Sequence, residues 1–473
     1  MMMVLMCLAG ITGAQQTEEE LPRIVKNEAD PLGAGLARLT FYYRSVDPLH
    51  PGDSITMSGA IFLPKDIYEW KKTAAGIVLL NHYTTLRRNE APSTYETSSF
   101  KNTIEKNLYL LEKDYILVCA DYYGFGVTET INGEKQPQTY LYADCTARHV
   151  LDAYENAKVL LQDLGYATGR LLVNMGYSQG AHTSMAVLKT AEADRHYSRV
   201  NFDYTICGGG PYDLQAFYEE LMKADDYEYP VAVGMLLTYM HDIEKAQGNA
   251  DFTSMTYSDV FDAAMVPNVE DFFYSGIVGA SYTNGSICNL YEEKSSMDVK
   301  KMISSGMKDE NSAVFKAYSK VLAKNSLTGG WVPRTEDRIF LFHSTGDDIV
   351  YSVCSDNLVS YLESQGIEVG SGKNVTYNKG YYFGHDVAAA LFLPMASSIL
   401  KDLKEEAMGI VGVDDDYDHD HDDDYDHDYD YDHDYDYDDD HDLLRGIYNL
   451  NGQRLKAPQK GINIIHGRKV LMK

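Results

Sequence analysis

The run LLVNM at residues 171–175 breaks off at Gly176-Tyr177-Ser178-Gln179-Gly180, and a helix-compatible segment follows at once. A strand that must turn straight into a helix at a serine leaves few architectures open. The turn is sharp, so Ser178 is held in strained backbone with its hydroxyl exposed at the strand's carboxyl end. Gly176 and Gly180 let strand and helix pass closely, where a Cβ would clash. The pattern points to acyl transfer through a serine nucleophile. With 37 Gly in 473 residues it also recurs by chance, so the rest of the chain must decide.

A serine hydroxyl is a weak nucleophile until a base takes its proton, and the partners expected after such an elbow come in the order acid, then histidine. Residues 338–352, RIFLFHSTGDDIVYS, read as an apolar strand ending in a polar turn with Asp347 and Asp348. Residues 378–393, NKGYYFGHDVAAALFL, place His385 in a glycine-flanked loop before an apolar helix. Imidazole titrates near working pH, which suits His385 as general base. Of the 14 histidines, five (His419, His421, His427, His433, His441) lie in an acidic tract. His182 sits on the helix after the elbow and points away from the Ser178 hydroxyl. His343 ends the acid strand and is expected to be packed or hydrogen-bonded there. An aspartate would hold the His385 imidazole in its productive tautomer. Asp347 is the first candidate and Asp348 its rival; a lone turn aspartate also serves as a cap or Asx-turn. The oxyanion of a tetrahedral intermediate needs two backbone donors. One is the N–H of Gln179, and the other falls in the loop LNHYTT after the 76–81 strand, at the N–H of Tyr83.

Strands and helices alternate along most of the chain. Residues 36–64 read as two or three strands. AAGIVLLNHY (74–83) and YILVCADYYG (115–124) are continuous apolar runs of the kind buried inside parallel sheets, with a helix predicted around 99–112. Helical spacing covers 142–165 and ends at Gly165, a C-cap. The elbow strand (171–176), its helix (179–192), strands at 202–210 and 338–343 and a last helix over 386–405 complete a parallel α/β pattern. Between Gly210 and Asp337 the rhythm stops and helical periodicity takes over. Residues 211–337 are read as a helical cap inserted over the sheet's carboxyl edge. Its Tyr, Phe and Met residues either line a substrate cleft or pack a small core of their own.

Charge excludes one function class. The formal charge is −30, but 18 of the negatives are Asp within 414–442; without them the chain carries −12, mildly acidic and unsuited to nucleic acid. Residues 414–442 contain only Asp, His and Tyr, and 409–442 are expected to be a disordered spacer; weak metal capture by the tract is the sharper alternative. Residues 1–16 resemble a short secretory signal, with Thr12 and Ala14 suiting cleavage after Ala14. Cys119, Cys145, Cys207, Cys288 and Cys354 show no C-x-x-C spacing, which speaks against a zinc site; Cys119 and Cys207 read as small buried hydrophobes. Residues 443–473 regain order as short strands, GIYNLNGQRL and GINIIHGRKVLM, joined by a Lys/Pro/Gly turn.

Over residues 36–405 these motifs resemble α/β-hydrolases of the secretory lipase and carboxylesterase type. CADYYGFGVTET is similar to that family's D-Y-x-G-x-G segment, QTYLYADCTARHVLDA to the motif before the elbow, and G-H-D to the G-H of its catalytic histidine. S-T-G-D-D-I-V is similar to G-x-x-D-x-x-V around the acid, which selects Asp347; Ser344 stands where a Gly is usual. The family's oxyanion loop reads H-G, whereas this chain has His82-Tyr83, whose side chain would narrow the acyl side of the site. The resemblance implies the α/β-hydrolase fold over residues 17–408: a mostly parallel sheet flanked by helices, with the cap inserted. It also implies an ester hydrolase that needs no cofactor and no metal and acts on small-molecule, lipid or carbohydrate esters. A serine peptidase or aminopeptidase on the same fold, and a non-catalytic surface binding protein, are the alternatives. The tail from Gly446 resembles a C-terminal sorting segment read by an export machinery. With the signal-like start it implies a secreted or cell-surface protein, or one of the periplasm.

Overall fold

The computed structural model describes residues 21–95 and 114–408, together with the backbone of four short strands in the tail. Its frame is a nine-stranded sheet in the order β1-β2-β3-β5-β4-β8-β9-β10-β11. β1 (Arg23–Glu28), β2 (Leu36–Val46) and β3 (Ser54–Pro64) form an antiparallel flank, and β3 joins β5 antiparallel. The rest is parallel: β4 (Gly76–Asn81), β5 (Tyr115–Ala120), β8 (Leu171–Tyr177), β9 (Tyr204–Gly208), β10 (Ile339–His343) and β11 (Val375–Lys379). A separate hairpin pairs β6 (Thr130–Ile131) with β7 (Glu134–Lys135). β5 and β8 are buried at every position, as strands covered on both faces must be.

Helices cover both faces. α1 (Lys65–Trp70) follows β3. α2 (Ala143–Asp163) buries one apolar side and ends with Gly165 in the left-handed region (φ +73°), its N–H on the carbonyl of Gln162. α3 (Gln179–Ala193) starts directly after the elbow. Between β9 and β10 the regular elements are helical, chiefly α4 (Leu214–Lys223), α5 (Pro230–Ala246), α6 (Ala280–Leu290) and α7 (Ala313–Asn325). α8 (Val353–Ser364) leads from the acid turn to β11, and α9 (His385–Ala407) closes the domain. The helix predicted around 99–112 lies outside the described residues, as do residues 1–16 and the tract 414–442. β1, α1, α8 and β11 went unnamed in the sequence reading, being short or weakly periodic.

Three buried clusters organise the packing. One fills the space between the sheet and α2, α3 and α8. A second lies between the sheet and α9, with Phe342, Phe392 and Leu400 in it. The third belongs to the helices between β9 and β10 and contains Phe217, Tyr239, Phe252, Phe273, Met240 and Tyr318. Most aromatics of that insertion therefore pack a core, one that also takes in Leu86, Tyr140, Tyr142, Val350 and Cys354 from outside it.

In the tail, Ile447–Asn449, Arg454–Leu455, Gly461–Ile465 and Arg468–Met472 make a four-stranded antiparallel sheet. Each of the two segments expected as a strand is in fact a pair of strands. No helix among the described residues is long and apolar enough to cross a membrane.

Candidate active site

β8 ends at Tyr177, α3 begins at Gln179, and Ser178 alone makes the turn with φ +58° and ψ −123°. That conformation is costly for a residue with a Cβ and persists only where the surroundings enforce it. Three contacts do so here. The Ser178 N–H donates to the carbonyl of Gly208 at 2.8 Å. A Cβ on Gly176 would lie 2.3 Å from the backbone of Gly180, and one on Gly180 would lie 2.1 Å from the carbonyl oxygen of Asn81. Both glycines are thus required by backbone-to-backbone contact.

The third contact, between Gly180 and Asn81, also places the loop after β4 against the elbow. Its start is fixed by Asn81, whose Nδ2 donates to Asn174 Oδ1 and Ser184 Oγ, both at 2.8 Å, tying β4 to β8 and α3. His82 stacks on Tyr122 with ring centroids 3.9 Å apart. Its Nδ1 lies 2.9 Å from the carbonyl of Tyr83 and its Nε2 3.2 Å from that of Asp121. Burial pushes the His82 imidazole down to about 4, so it is neutral and serves to hold the loop. Asp121 is fully buried and accepts from the hydroxyls of Ser58 and Ser93 and from the Ser93 N–H. The D-Y-x-G-x-G segment therefore acts as an anchor for the loop beside the elbow. Tyr83 is half-buried there, and Gln179 is buried as the first residue of α3, where helix N–H groups have no intrahelical acceptor.

Asp347 and His385 come together. His385 Nδ1 lies 2.8 Å from Asp347 Oδ2, and Oδ1 accepts the N–H groups of Ile349 (3.1 Å) and Val350 (2.7 Å). Asp348 does something different: its Oδ1 accepts the backbone N–H of His385 at 2.9 Å, fixing the first turn of α9. A Cβ on Gly384 would lie 2.8 Å from Asp348 Oδ2, which explains the glycine of the G-H pair. His385 reaches the elbow through Tyr177, whose ring packs against the imidazole (centroids 4.9 Å) and whose hydroxyl donates to the His385 carbonyl at 2.8 Å.

Ser344, the departure from the usual glycine, is a staple. Its Oγ accepts the Phe383 N–H at 2.9 Å and shares its single proton between the carbonyls of Tyr381 and Phe383 at 2.7 and 2.6 Å. It ties the acid turn to the histidine loop. His182 turns away from Ser178, with Nε2 2.9 Å from the carbonyl of Asn325 at the end of α7.

The electrostatics match this arrangement. Burial alone would raise the Asp347 carboxyl, but the His385 charge and hydrogen bonds from His343 and His385 outweigh it and hold it below the ordinary carboxylate range. Burial lowers His385, yet the facing Asp347 carboxylate overcomes this and raises it above the usual imidazole value. Ser178, Asp347 and His385 keep 8 %, 7 % and 6 % of their surface, whereas His343 keeps 0 %, so His343 is sealed from any substrate. Sequence reasoning left His343 as a packed histidine and missed its position beside Asp347, 3.4 Å from Nε2 to Oδ2; its spacing four residues before the acid was the available signal. Among the described residues no three His, Cys, Asp or Glu side chains converge as a metal site would require. The five cysteines from Cys119 onward are buried free thiols.

Solved structures similar in fold are numerous. One is the rice cell wall degrading esterase LipA from Xanthomonas oryzae, 18% identical, with 83% of this chain and 98% of that one covered at a TM-score of 0.61. Another is Candida antarctica lipase A in its closed state, 14% identical, with 82% of each chain covered at a TM-score of 0.56. The chain has the α/β-hydrolase fold. No family model matches it, and no curated protein matches it in sequence. Within the α/β-hydrolase fold, the elbow after β8, the acid turn after β10 and the histidine after β11 lie at the carboxyl ends of their strands, where open α/β sheets bind ligands.

Proposed function

We propose that this chain is a serine hydrolase of carboxylic esters. The observation that carries the reading is a buried Asp347–His385 pair, 2.8 Å apart, packed through Tyr177 against a serine forced to φ +58°. In the proposed reaction His385 Nε2 takes the Ser178 hydroxyl proton as Oγ attacks the ester carbonyl. The N–H groups of Gln179 and Tyr83 receive the oxyanion. The protonated imidazole, steadied by Asp347, then gives its proton to the leaving alkoxide, and an acyl-enzyme remains on Ser178. Water, deprotonated by His385, repeats the sequence and releases the acid. Names of the structural neighbours, an esterase and a lipase, support the reading.

Residues 211–337 are proposed to act as a cap over the cleft. An acidic cluster that anchors a free amine would favour the aminopeptidase reading, but the insertion offers only scattered acids such as Glu219, Glu220, Asp225 and Asp226, of which Glu220 pairs with Lys223 at 2.8 Å and Asp225 with Lys300 at 3.1 Å. The aminopeptidase reading gains nothing from them. Secretion or surface attachment, through residues 1–16 and the tail, completes the proposal.

The test is hydrolysis of p-nitrophenyl esters, from acetate to long acyl chains, by wild type and Ser178→Ala side by side. Turnover in the wild type should fall by about five to six orders of magnitude in the variant. Near-full activity in Ser178→Ala ends the serine mechanism, and an inert wild type moves the search to peptide substrates and then to binding.

A further inference from the structure

His343 is fully buried, and its ring is engaged at both nitrogens. Nδ1 lies 2.6 Å from Ser355 Oγ. Nε2 lies 2.8 Å from the carbonyl of Val350 and 3.4 Å from Asp347 Oδ2. Both groups facing Nε2 are acceptors only, so Nε2 carries a proton in either charge state of the ring. Ser355 can donate to Nδ1 of the neutral form.

We propose that His343 is a positioning residue for the catalytic acid, an inference that rests on the serine-hydrolase reading. The geometry gives it two handles on Asp347. Its Nε2–H fastens the Val350 carbonyl, and the N–H of Val350 in turn donates to Asp347 Oδ1 at 2.7 Å. The ring thereby closes the whole acid turn from residue 343 to residue 350. At the same time the positive end of its N–H faces Oδ2, the oxygen that accepts from His385 Nδ1 at 2.8 Å. Oδ2 thus lies between two imidazoles, one solvent-reaching and reactive, one sealed. The sealed one fixes the carboxylate's plane and draws off part of its charge, which limits how strongly Asp347 pulls on the His385 proton. His343 touches no substrate and takes no proton during turnover.

His343→Phe removes the donor and keeps a flat ring; His343→Gln restores an amide N–H near the Nε2 position. In His343→Phe, kcat should fall about tenfold or more, by analogy with the outer hydrogen-bond partners of metal ligands, with KM within about twofold. The acid limb of its kcat/KM profile should move to higher pH, because an unopposed Asp347 raises His385 further. His343→Gln should recover much of both. A merely structural role would lower the melting temperature and leave pH profile and rescue unaffected. Wild-type kcat and acid limb in a folded His343→Phe, or no recovery in His343→Gln, overturns the positioning role. Should His343→Phe not fold, 15N-histidine labelling of the wild type decides: a protonated Nε2 supports the proposal and an Nδ1–H neutral tautomer sinks it. An active Ser178→Ala would sink the catalytic reading itself, whereas an inert Ser178→Ala beside a fully active His343→Phe sinks only this inference.

Discussion

The elbow and the helical insertion are specified in opposite ways. Around Ser178 the fold depends on side chains that are missing: Gly176 and Gly180 stand where any Cβ would meet backbone at 2.1–2.3 Å. In the insertion it depends on large side chains with polar tips. Tyr239 donates to the carbonyl of Phe273 at 2.6 Å, Tyr318 to that of Leu237 at 2.7 Å, and Tyr227 to that of Ile349 at 3.0 Å. Each ring fills volume and its hydroxyl finds a backbone acceptor. Backbone contact tolerates no error, whereas tyrosine packing spreads specification over many residues. The first is therefore readable from a short motif and the second is not.

The comparison can be broken most severely at the acid. Asp347→Asn should cut kcat by about four orders of magnitude, since it spoils the imidazole's tautomer while keeping its shape. The pH profile gives the sign: Asp347 raises His385, so its loss should move the acid limb of kcat/KM to lower pH, opposite to the shift expected for His343→Phe. An unshifted limb would mean that Asp347 does not face the base in solution. Next in size is Gly180→Ala. Its methyl would lie 2.1 Å from the Asn81 carbonyl oxygen, so strand and helix must separate at a cost of about 3 kcal/mol or more, read as a large fall in urea midpoint. A stability loss below about 1 kcal/mol would show that the elbow yields more easily than close packing allows. The smallest effect belongs to the insertion. Tyr318→Phe keeps the ring and removes one hydrogen bond, and should cost about 1 kcal/mol with unchanged kcat. A tenfold drop in kcat there would show that the insertion's core is coupled to the site.

Against this background the legibility of the chain is uneven for physical reasons. The order of strands and helices could be read because continuous apolar runs and helical periodicity mark buried parallel strands and their covers. The positions of Ser178 and His385 in the fold were readable because the first sits at a forced turn between glycines and the second follows Gly384 at the start of an apolar helix. Asp347 and Asp348 were not separable by residue type, since both are turn aspartates; resemblance favoured the first, and the structure sets the first against the His385 imidazole and the second against the His385 backbone N–H. His343 carried only its spacing four residues before the acid as a signal, because its partner Val350 becomes a neighbour only when the acid turn closes. Which tyrosine meets which carbonyl in the insertion is likewise decided by contacts between segments far apart in sequence.

The pairing of β9 with β10 has a consequence for how the molecule comes into being. Thr205 lies beside Ile339 in the parallel register, yet the whole insertion separates them along the chain. Closing a loop of about 130 residues is an entropic expense that only pairing and burial of β10 repay, and each doubling of such a loop adds only about 0.6 kcal/mol. The insertion can therefore be long at small cost, but it delays the last strands. Ser178 precedes it, and Asp347 and His385 follow it. A nascent chain that has emerged through α7 holds the nucleophile without acid or base. The proposed hydrolytic activity can switch on only when β10, β11 and α9 dock, which makes it a direct report of synthesis past α9 and of the slow, long-range step of folding.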